Sequence, residues 1–365
     1  MAASSAGKRI DLLVLEGDGI GPEITAATLA VLRAADTAFG LGLTFTPADI
    51  GWTAHQACGS TFPDAIETQA KAAPGVLLGP VSHNDYPPRV EGGLNPSGEL
   101  RKRLDLYANI RPARSRTGFP PRCGVPVDLV IVRENTEGFY ADRNMHLGPG
   151  EFMPTPDLVL AVRKISRDGS TRIVEAAFKL ALQRRGKVTC VHKANVLRVS
   201  DGLYLECARA VAARYPQVAY EERLIDAMAA LLIRDASAFD VIVTTNMFGD
   251  ILSDEASEIA GSLGLAASLN AGRDHAVAQA QHGSAPDIAG RDVANPASLI
   301  GSAAMLPAWL GERRGDDNLV AASRAIDAAL DRVIAVPDGR TRDMGGTLGT
   351  AAFAKRVATA LKNRA

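Results

Sequence analysis

Residues 239–255 are FDVIVTTNMFGDILSDE, an apolar run followed at once by a polar and acidic segment. The run at 239–245 predicts a buried strand, and the residues after it are expected to begin a helix. Asp250 and Asp254 stand four residues apart, so a helix places both carboxylates on one face. Carboxylate oxygens in that arrangement suit Mg²⁺ or Mn²⁺. A single pair of this kind more often marks a solvated helix face, but the apolar residues between the two acids reduce the odds of that alternative.

Apolar strand-like runs alternate with helix-like segments on both sides of this stretch. The pattern predicts an α/β fold with a largely parallel or mixed sheet between helices. The last third, from about Gly261, is expected to be rich in loops and to end in two Ala-rich helices. The predicted strands cover 11–15, 75–79, 128–132 and 187–191, and the predicted helices cover 22–35, 170–185, 202–215 and 226–234.

The composition narrows the class of protein. A chain of 365 residues is long enough for about two or three domains. A net charge of -1 gives no basic surface for nucleic acid or an anionic membrane, and no apolar run approaches the length of a spanning helix. The first residues lack the apolar core of a signal peptide, and the four cysteines have no CxxC spacing. We therefore expect a cytoplasmic protein with reduced thiols and with neither a nucleic-acid nor a membrane partner.

Several polar residues stand where predicted elements end. Arg101, Arg111 and Arg133 are each expected at or beyond the end of an element. Arginine binds carboxylates through two parallel hydrogen bonds, so three converging arginines suit a di- or tricarboxylic acid, although each one alone is more often a surface residue. Lys193, after a predicted strand, can transfer a proton if burial lowers its pKa, and otherwise is a solvated strand-end lysine.

Two glycine-containing loops could contact a ligand. The first, EGDGIGPE at 16–23, lacks the G-x-G-x-x-G spacing of a dinucleotide fingerprint, so no Rossmann phosphate site is predicted there. The second, HGSAPDIAG at 282–290, is polar and flanked by glycines, and it could wrap a cofactor.

Taken together, these segments resemble the β-decarboxylating dehydrogenases that act on isocitrate, 3-isopropylmalate, homoisocitrate and tartrate or D-malate. The resemblance is carried by LYANIRP at 106–112, VRENTEGFY at 132–140, HKANVL at 192–197, and the segments 246–257 and 282–290. It implies an isopropylmalate/isocitrate dehydrogenase-like fold, distinct from the Rossmann type, with two α/β domains, a mixed sheet and an active-site cleft between the domains.

The resemblance also implies a domain division and an assembly. The large domain would comprise 1–106 and 261–365, and the small domain would comprise 107–260. An irregular arm near 141–160 would clasp a second subunit in a homodimer with shared active sites.

The resemblance assigns roles to residues by position. Asp250 and Asp254 would hold Mg²⁺ or Mn²⁺ together with Asp226 of the partner subunit. Lys193 of the partner subunit would help remove the proton from the 2-hydroxyl, and Tyr140 would protonate C3 after decarboxylation. The residues implied to bind substrate are Asn95, Ser97, Arg101, Arg111, Arg133 and Asn195, and those implied to bind the cofactor are His282, Gly283, Ser284, Ala285, Asp287 and Asn295.

The cofactor and the substrate follow from particular side chains. Asp287 would repel a 2′-phosphate, so NAD⁺ is expected. Asn95 and Ser97 stand where the resemblance places side chains against the C3 substituent, and their polarity favours isocitrate or a close polar analogue. The alternatives are 3-isopropylmalate, homoisocitrate, tartrate or D-malate, and a non-catalytic regulatory subunit is disfavoured because the catalytic residues are kept. Residues 82–93 and Gln279, where most members of the family have glutamate, match no known subfamily.

Overall fold

The computed structural model describes residues 9–140 and 150–362. Within these ranges, ten strands form one sheet and two more form a separate hairpin. The strands are β1 (Ile10–Leu15), β2 (Leu43–Ala48), β3 (Gly75–Leu78), β4 (Ala108–Arg114), β5 (Asp128–Glu134), β6 (Glu151–Thr155), β7 (Leu158–Ala161), β8 (Lys187–His192), β9 (Ala219–Leu224), β10 (Val241–Thr244), β11 (Leu269–Ala271) and β12 (Ala276–Gln279).

The large sheet has the order β2-β1-β3-β12-β11-β4-β5-β10-β8-β9. Its two wings, β2-β1-β3-β12 and β5-β10-β8-β9, are parallel. In the middle, β11 runs antiparallel to both β12 and β4, and β4 runs antiparallel to β5. The α/β class with a mixed sheet is therefore confirmed.

Helices cover both faces of this sheet. The packing of β1 shows this, since alternate residues of the strand belong to different cores. Leu12 and Val14 of β1 pack with the helices nearest the two chain ends, whereas Leu13 and Leu15 pack on the opposite face. The helices are α1 (Gly21–Phe39), α2 (Gly51–Cys58), α3 (Asp64–Ala72), α4 (Pro96–Arg103), α5 (Arg167–Leu182), α6 (Ser200–Ala212), α7 (Ile225–Asp235), α8 (Asn246–Ala260), α9 (Ala297–Arg314), α10 (Asp317–Ala335) and α11 (Thr350–Lys362). Among the helices described, none has the length and apolarity needed to cross a bilayer.

The buried apolar residues fall into two sets along the chain. Two cores use residues up to 106 together with residues from 269 onward. The other two cores use residues between 108 and 260. This partition follows the division expected from the sequence, although the domain boundaries themselves stay a prediction.

Two expectations from the sequence are wrong. The last third holds the strands β11 and β12 and three helices, α9 to α11, where two helices were expected. The expected irregular arm near 141–160 is, in its described part, the antiparallel hairpin of β6 and β7; residues 141–149 lie outside the described residues. Its alternation was hard to see because every residue of both strands is exposed, so no buried face sets a pattern.

The segment at 239–255 forms the strand and helix that its sequence predicts. All four residues of β10 are buried between β5 and β8, which explains the unbroken apolar run. The chain then enters α8, where Gly249 faces β5. A Cβ at Gly249 would lie 2.7 Å from Cβ of Arg133, so only glycine allows α8 to approach this strand so closely.

Candidate active site

A cavity of about 280 Å³ opens where β4, β5 and β12 meet the N-terminal halves of α4 and α8. Its wall carries many of the residues singled out from the sequence. Those on the wall are Asn95, Ser97, Arg101, Arg111, Arg133, Tyr140, Asp250, His282 and Gly283. Those not on the wall are Lys193, Asn195, Asp226, Asp254, Ser284, Ala285, Asp287 and Asn295.

The three arginines do converge, but only Arg133 comes from near the end of an element. Arg101 lies within α4, Arg111 lies in the middle of β4, and Arg133 is the penultimate residue of β5. The expectation of positions at or beyond the ends of elements is therefore wrong for Arg101 and, most clearly, for Arg111. A buried arginine within a strand is rare unless it is paired, and the sequence does not show the pairing partner.

Asp250 supplies the charge that allows two of these arginines to be buried. Its Oδ1 accepts hydrogen bonds from Arg133 and, at 3.2 Å, from Nη1 of Arg111. Its Oδ2 accepts a hydrogen bond from the Tyr140 hydroxyl at 3.2 Å. Asp254, one turn later, lies 3.5 Å from the same Nη1 of Arg111. The shared helix face predicted for the two acids is thus occupied by cations from the sheet.

The pKa values of these groups follow from burial and from neighbouring charge. Burial, reinforced by the nearby charge of Arg133, lowers the pKa of Arg111 to about 10. Burial on its own would raise the pKa of Asp250, but the charges of Arg133, Arg111 and Arg101 outweigh it and hold that pKa below the usual range. Asp250 is therefore ionised across the neutral range.

Neutral side chains that the sequence did not single out fix the geometry of the cluster. Asn246, at the start of α8, accepts hydrogen bonds through Oδ1 from both Nε and Nη2 of Arg133, at 2.9 and 2.7 Å. Ser253 accepts a hydrogen bond from Nη1 of Arg111 at 2.6 Å. Gln281 donates to Asp254 at 2.6 Å. The one available signal was helical spacing, because Asn246, Asp250 and Ser253 share a face of α8.

Lys193 and Asp226 lie together at a different place on the chain. Nζ of Lys193 is 2.8 Å from Oδ1 of Asp226, whose side chain is 66 % exposed. This contact lowers the pKa of Asp226, chiefly through the hydrogen bond from Lys193. Asn195 is exposed nearby, after the end of β8. The chain thus brings these three residues together but not onto its own cavity.

The two acids of α8 fit a hard divalent cation by their chemistry, but they do not complete a site. Two carboxylates one helical turn apart, both partly accessible, offer the oxygen donors that Mg²⁺ and Mn²⁺ prefer. Among the described residues, no three His, Cys, Asp or Glu side chains are gathered into a metal-binding group. One chain therefore supplies part of such a site.

The loop 282–290 lies beside the first glycine-containing loop. The backbone N–H of Ile20 donates to the carbonyl of Ser284 at 2.8 Å, and a Cβ at Gly19 would lie 2.1 Å from that oxygen. Gly19, with φ of +57°, serves this close contact. Asp287 is exposed on the same loop. Nε2 of His282 is buried and makes no hydrogen bond within the described residues.

Burial lowers the pKa of His282, so its imidazole is neutral at pH 7 and can bond to a neutral partner such as a nucleoside. Asn295 is differently placed, because both ends of its amide are engaged. Its Nδ2 donates to Asp343 at 2.8 Å, and its Oδ1 accepts from the N–H of Ala297 at 3.0 Å. Asp343 was not predicted, since it lies 48 residues further along the chain.

Residues 82–93, unassigned from the sequence, are tied to the first loop by one buried carboxylate. Asp18 accepts hydrogen bonds from the N–H groups of Trp52 and Ser82, each at 2.9 Å, and from the hydroxyl of Tyr86. The hydroxyl of Ser82 lies 2.8 Å from that of Ser284, which joins the insert to the 282–290 loop as well. His83, held between these ties, contributes to the cavity wall.

Opposite the arginines, the wall is polar. The Asn95 side chain caps α4 by accepting from the N–H of Gly98 at 3.2 Å. Ser97 is buried and donates to Oε1 of Gln279 at 2.9 Å. Asp250 is the one acidic residue among the described residues that line the cavity.

Comparisons with known proteins agree on one group. The sequence profile described as "Isocitrate/isopropylmalate dehydrogenase" matches residues 11–359. The chain is 41 % identical over 353 residues to an isocitrate/homoisocitrate dehydrogenase of Thermus thermophilus, covering 96 % of this chain and 98 % of that protein. It is 39 % identical over 338 residues to a 3-isopropylmalate dehydrogenase of Sulfurisphaera tokodaii, covering 92 % and 95 %.

The fold is similar to a crystal structure of isocitrate dehydrogenase from Methylococcus capsulatus. The TM-score is 0.84 at 37 % identity, and the match covers 97 % of this chain and all of the other.

Proposed function

This chain belongs to the isocitrate/isopropylmalate dehydrogenase family, and from that premise we propose that it oxidises and decarboxylates a 2-hydroxy-3-carboxy acid with NAD⁺. The observation that carries the proposal is the cavity, where three arginines, Asp250 and Tyr140 converge. Its arginines match carboxylates, and Asp250 on its wall, with Asp254 one turn further along α8, matches a divalent cation. We propose isocitrate or a close polar analogue as the substrate.

The polar wall supports that choice of substrate. Ser97 already donates to Gln279, but the side-chain NH₂ of Gln279 would be left without a partner by an isopropyl group, at a cost of about 1–3 kcal/mol. A third carboxylate would accept hydrogen bonds there instead. The relatives include enzymes named for isocitrate and homoisocitrate and several named for 3-isopropylmalate, so the choice between these substrates rests on the polarity of this wall.

We propose that Asp250 and Asp254 hold Mg²⁺ or Mn²⁺ together with Asp226 of the partner subunit. When bound, the cation would neutralise negative charge that develops on the substrate oxygens as CO₂ leaves. In the described structure, Asp250 is engaged by Arg111 and Arg133. Substrate carboxylates would compete with Asp250 for those arginines, and we propose that substrate binding releases Asp250 for the metal.

Proton movements are assigned to two residues. In this scheme Lys193 of the partner subunit, in its neutral form, would accept the proton of the C2 hydroxyl, and bound NAD⁺ would supply the acceptor for the hydride that C2 loses. The carboxylate on C3 then leaves as CO₂, and its bonding electrons remain on the substrate as an enolate. We propose that Tyr140 protonates C3, which is supported by its position on the cavity wall and by the hydrogen bond that its hydroxyl donates to Asp250.

A homodimer accounts for the position of Lys193. Apolar side chains next to both parts of the site are exposed, including Ile251 beside Asp250, Val196 and Val199 beyond Asn195, and Ile233 on α7. The hairpin of β6 and β7 also exposes apolar residues, as expected of an arm that packs on a second subunit. We propose that this surface is buried in the dimer and that each cavity is completed by Lys193 and Asp226 of the partner subunit.

NAD⁺ is the proposed cofactor because the exposed Asp287 would repel a 2′-phosphate. The residues proposed to contact it are His282, Gly283, Ser284, Ala285, Asp287 and Asn295. Asp287→Asn is expected to raise kcat/KM with NADP⁺ while changing the substrate KM little. A wild-type kcat/KM higher with NADP⁺ than with NAD⁺ contradicts the assignment.

The test of the whole proposal is NADH formation at 340 nm with Mn²⁺ and a panel of isocitrate, homoisocitrate, 3-isopropylmalate, D-malate and tartrate. We expect the highest kcat/KM with isocitrate or homoisocitrate. A higher kcat/KM with 3-isopropylmalate would show that the polar side chains of this wall do not select the substrate. Absence of turnover with every acid, in a folded protein, would reject the oxidative decarboxylation itself.

A further inference from the structure

A row of side-chain amides crosses the middle of the sheet behind the cavity. Asn109 of β4 and Asn270 of β11 face each other directly in the strand register, and Gln279 ends the neighbouring strand β12. Asn135, just beyond β5, joins the row. All three asparagines are buried, and each makes hydrogen bonds to fixed neighbours, although Oδ1 of Asn135 has no partner among the described residues.

The direction of this row is set at its two outer members. Nε of Arg111 can only donate, so the atom of Asn109 that faces it must be the oxygen. The carbonyl of Leu106 can only accept, so the atom of Asn135 that faces it at 2.9 Å must be nitrogen. Amide orientations in proteins are assigned from such obligate partners.

The orientations of Asn109 and Asn135 in turn fix the orientation of the Asn270 amide. Nδ2 of Asn109 and Nδ2 of Asn135 both donate to Oδ1 of Asn270, each at 3.0 Å. The Nδ2 of Asn270 therefore points the other way, toward the backbone oxygen of Val277 and Oε1 of Gln279 at 3.4 Å. Ser97 donates to the same Oε1 at 2.9 Å.

The carbonyl end of Gln279 is thus held against the protein, and its NH₂ is the end left for the cavity. Among the described residues, none accepts a hydrogen bond from Nε2 of Gln279, although the residue lines the cavity. Asn95 has the same polarity, because its oxygen caps α4 and its NH₂ remains available. This part of the wall therefore presents donors.

We propose that Gln279 is a specificity-determining residue that donates a hydrogen bond to a carboxylate on the C3 substituent, and that the asparagine row holds it in that orientation. This inference rests on the proposed function and adds to it the side chain that binds the third carboxylate. An acid without that carboxylate leaves the donor unpaired.

Gln279→Glu tests the proposal, because it replaces the NH₂ with an oxygen of similar size. We expect kcat/KM for isocitrate to fall roughly ten- to a hundred-fold, while kcat/KM for D-malate, which has no C3 substituent, changes less than about threefold. Gln69→Glu, on the exposed face of α3, makes the same chemical change far from the cavity and is expected to alter neither value.

Asn270→Asp tests the positioning role without altering the cavity wall. Its new oxygen would repel Oε1 of Gln279 and turn the NH₂ inward, so it should lower the isocitrate to D-malate ratio in the same direction as Gln279→Glu. Should this buried variant fail to fold, Gln279→Glu alone decides the question.

Calorimetric binding of isocitrate and D-malate to the wild-type protein and to Gln279→Glu, with Mg²⁺, separates this inference from the proposed function. Equal loss of affinity for both acids, unchanged affinity for isocitrate, or a rise only in the KM for NAD⁺ would overturn the role of Gln279. Selective binding without NADH formation by the wild type would instead uphold Gln279 and reject the proposed reaction.

Discussion

The cavity and the surface around Lys193 carry similar charged residues in opposite settings. In the cavity, Arg111 and Arg133 are almost fully buried and share Asp250 within one chain. At the surface, Lys193 and Asp226 pair with each other, and Asp226 is largely exposed. A buried charge must be neutralised by its own chain, whereas an exposed pair can be satisfied by water until a partner covers it. Burial therefore distinguishes the part of the site that one chain completes from the part that we propose it offers to a second subunit.

The comparison is tested most strongly by Asp250→Asn and Asp226→Asn. Both variants should lose about a thousandfold or more in kcat/KM, because each removes a proposed metal ligand. Only Asp250→Asn should also lower the free energy of unfolding, by about 2 kcal/mol, since it leaves two buried arginines without their counter-charge. Asp226→Asn should leave the free energy of unfolding unchanged, because an exposed ion pair adds little to stability.

Unfolding in urea without metal, alongside kinetics, measures both quantities. Equal stability of the two variants would show that Asp250 does not neutralise the buried arginines, and normal activity of Asp226→Asn would remove it from the site.

A mixing experiment asks whether the exposed pair serves a second chain. Lys193→Met and Asp254→Asn are each expected to be inactive, but co-expression should restore about a quarter of wild-type activity. Half of the dimers would be mixed, and one of the two sites in each would hold only intact residues.

The matched control co-expresses Lys193→Met with Asp226→Asn. Both substitutions then affect the exposed pair of Lys193 and Asp226. Every site in the mixed dimer therefore lacks one residue, and no activity should return. Recovery in this control, or none in the first pair, is incompatible with sites shared in this way.

The smallest expected effect is a difference in acid stability. The pKa of Asp250 is held below its usual value of 3.8, so its stabilising contribution is complete above that value and is lost as the pH falls through its lower folded pKa. The stability gap between the wild type and Asp250→Asn should therefore narrow below about pH 4. Urea unfolding at pH 6 and pH 3.5 measures it, and a gap that does not narrow would mean that Asp250 is not the titrating group.

Local spacing in the sequence predicted much of this arrangement. The period of α8 placed Asp250 and Asp254 on one face, and the unbroken apolar run predicted β10. The row from Asn109 to Gln279 was not predictable in this way, because its members meet across strands separated by up to 161 residues. The prediction for Arg111 failed for the same reason, because its counter-charge, the partly exposed Asp250, lies 139 residues away. The hairpin was missed because an exposed element has no apolar alternation.

The three hydrogen bonds that Asp18 accepts have a consequence for protein engineering. They divide residues 82–93 into anchors and variable sites, since Ser82 and Tyr86 bind the carboxylate while His83 between them lines the cavity. A mutational library that keeps Asp18, Ser82 and Tyr86 and randomises His83 would change what the cavity accepts while preserving the loop that presents it. Randomising the anchors would disturb the insert and the neighbouring 282–290 loop together, because Ser82 contacts both. We therefore expect His83 to be a position at which substrate choice can be varied with little effect on folding.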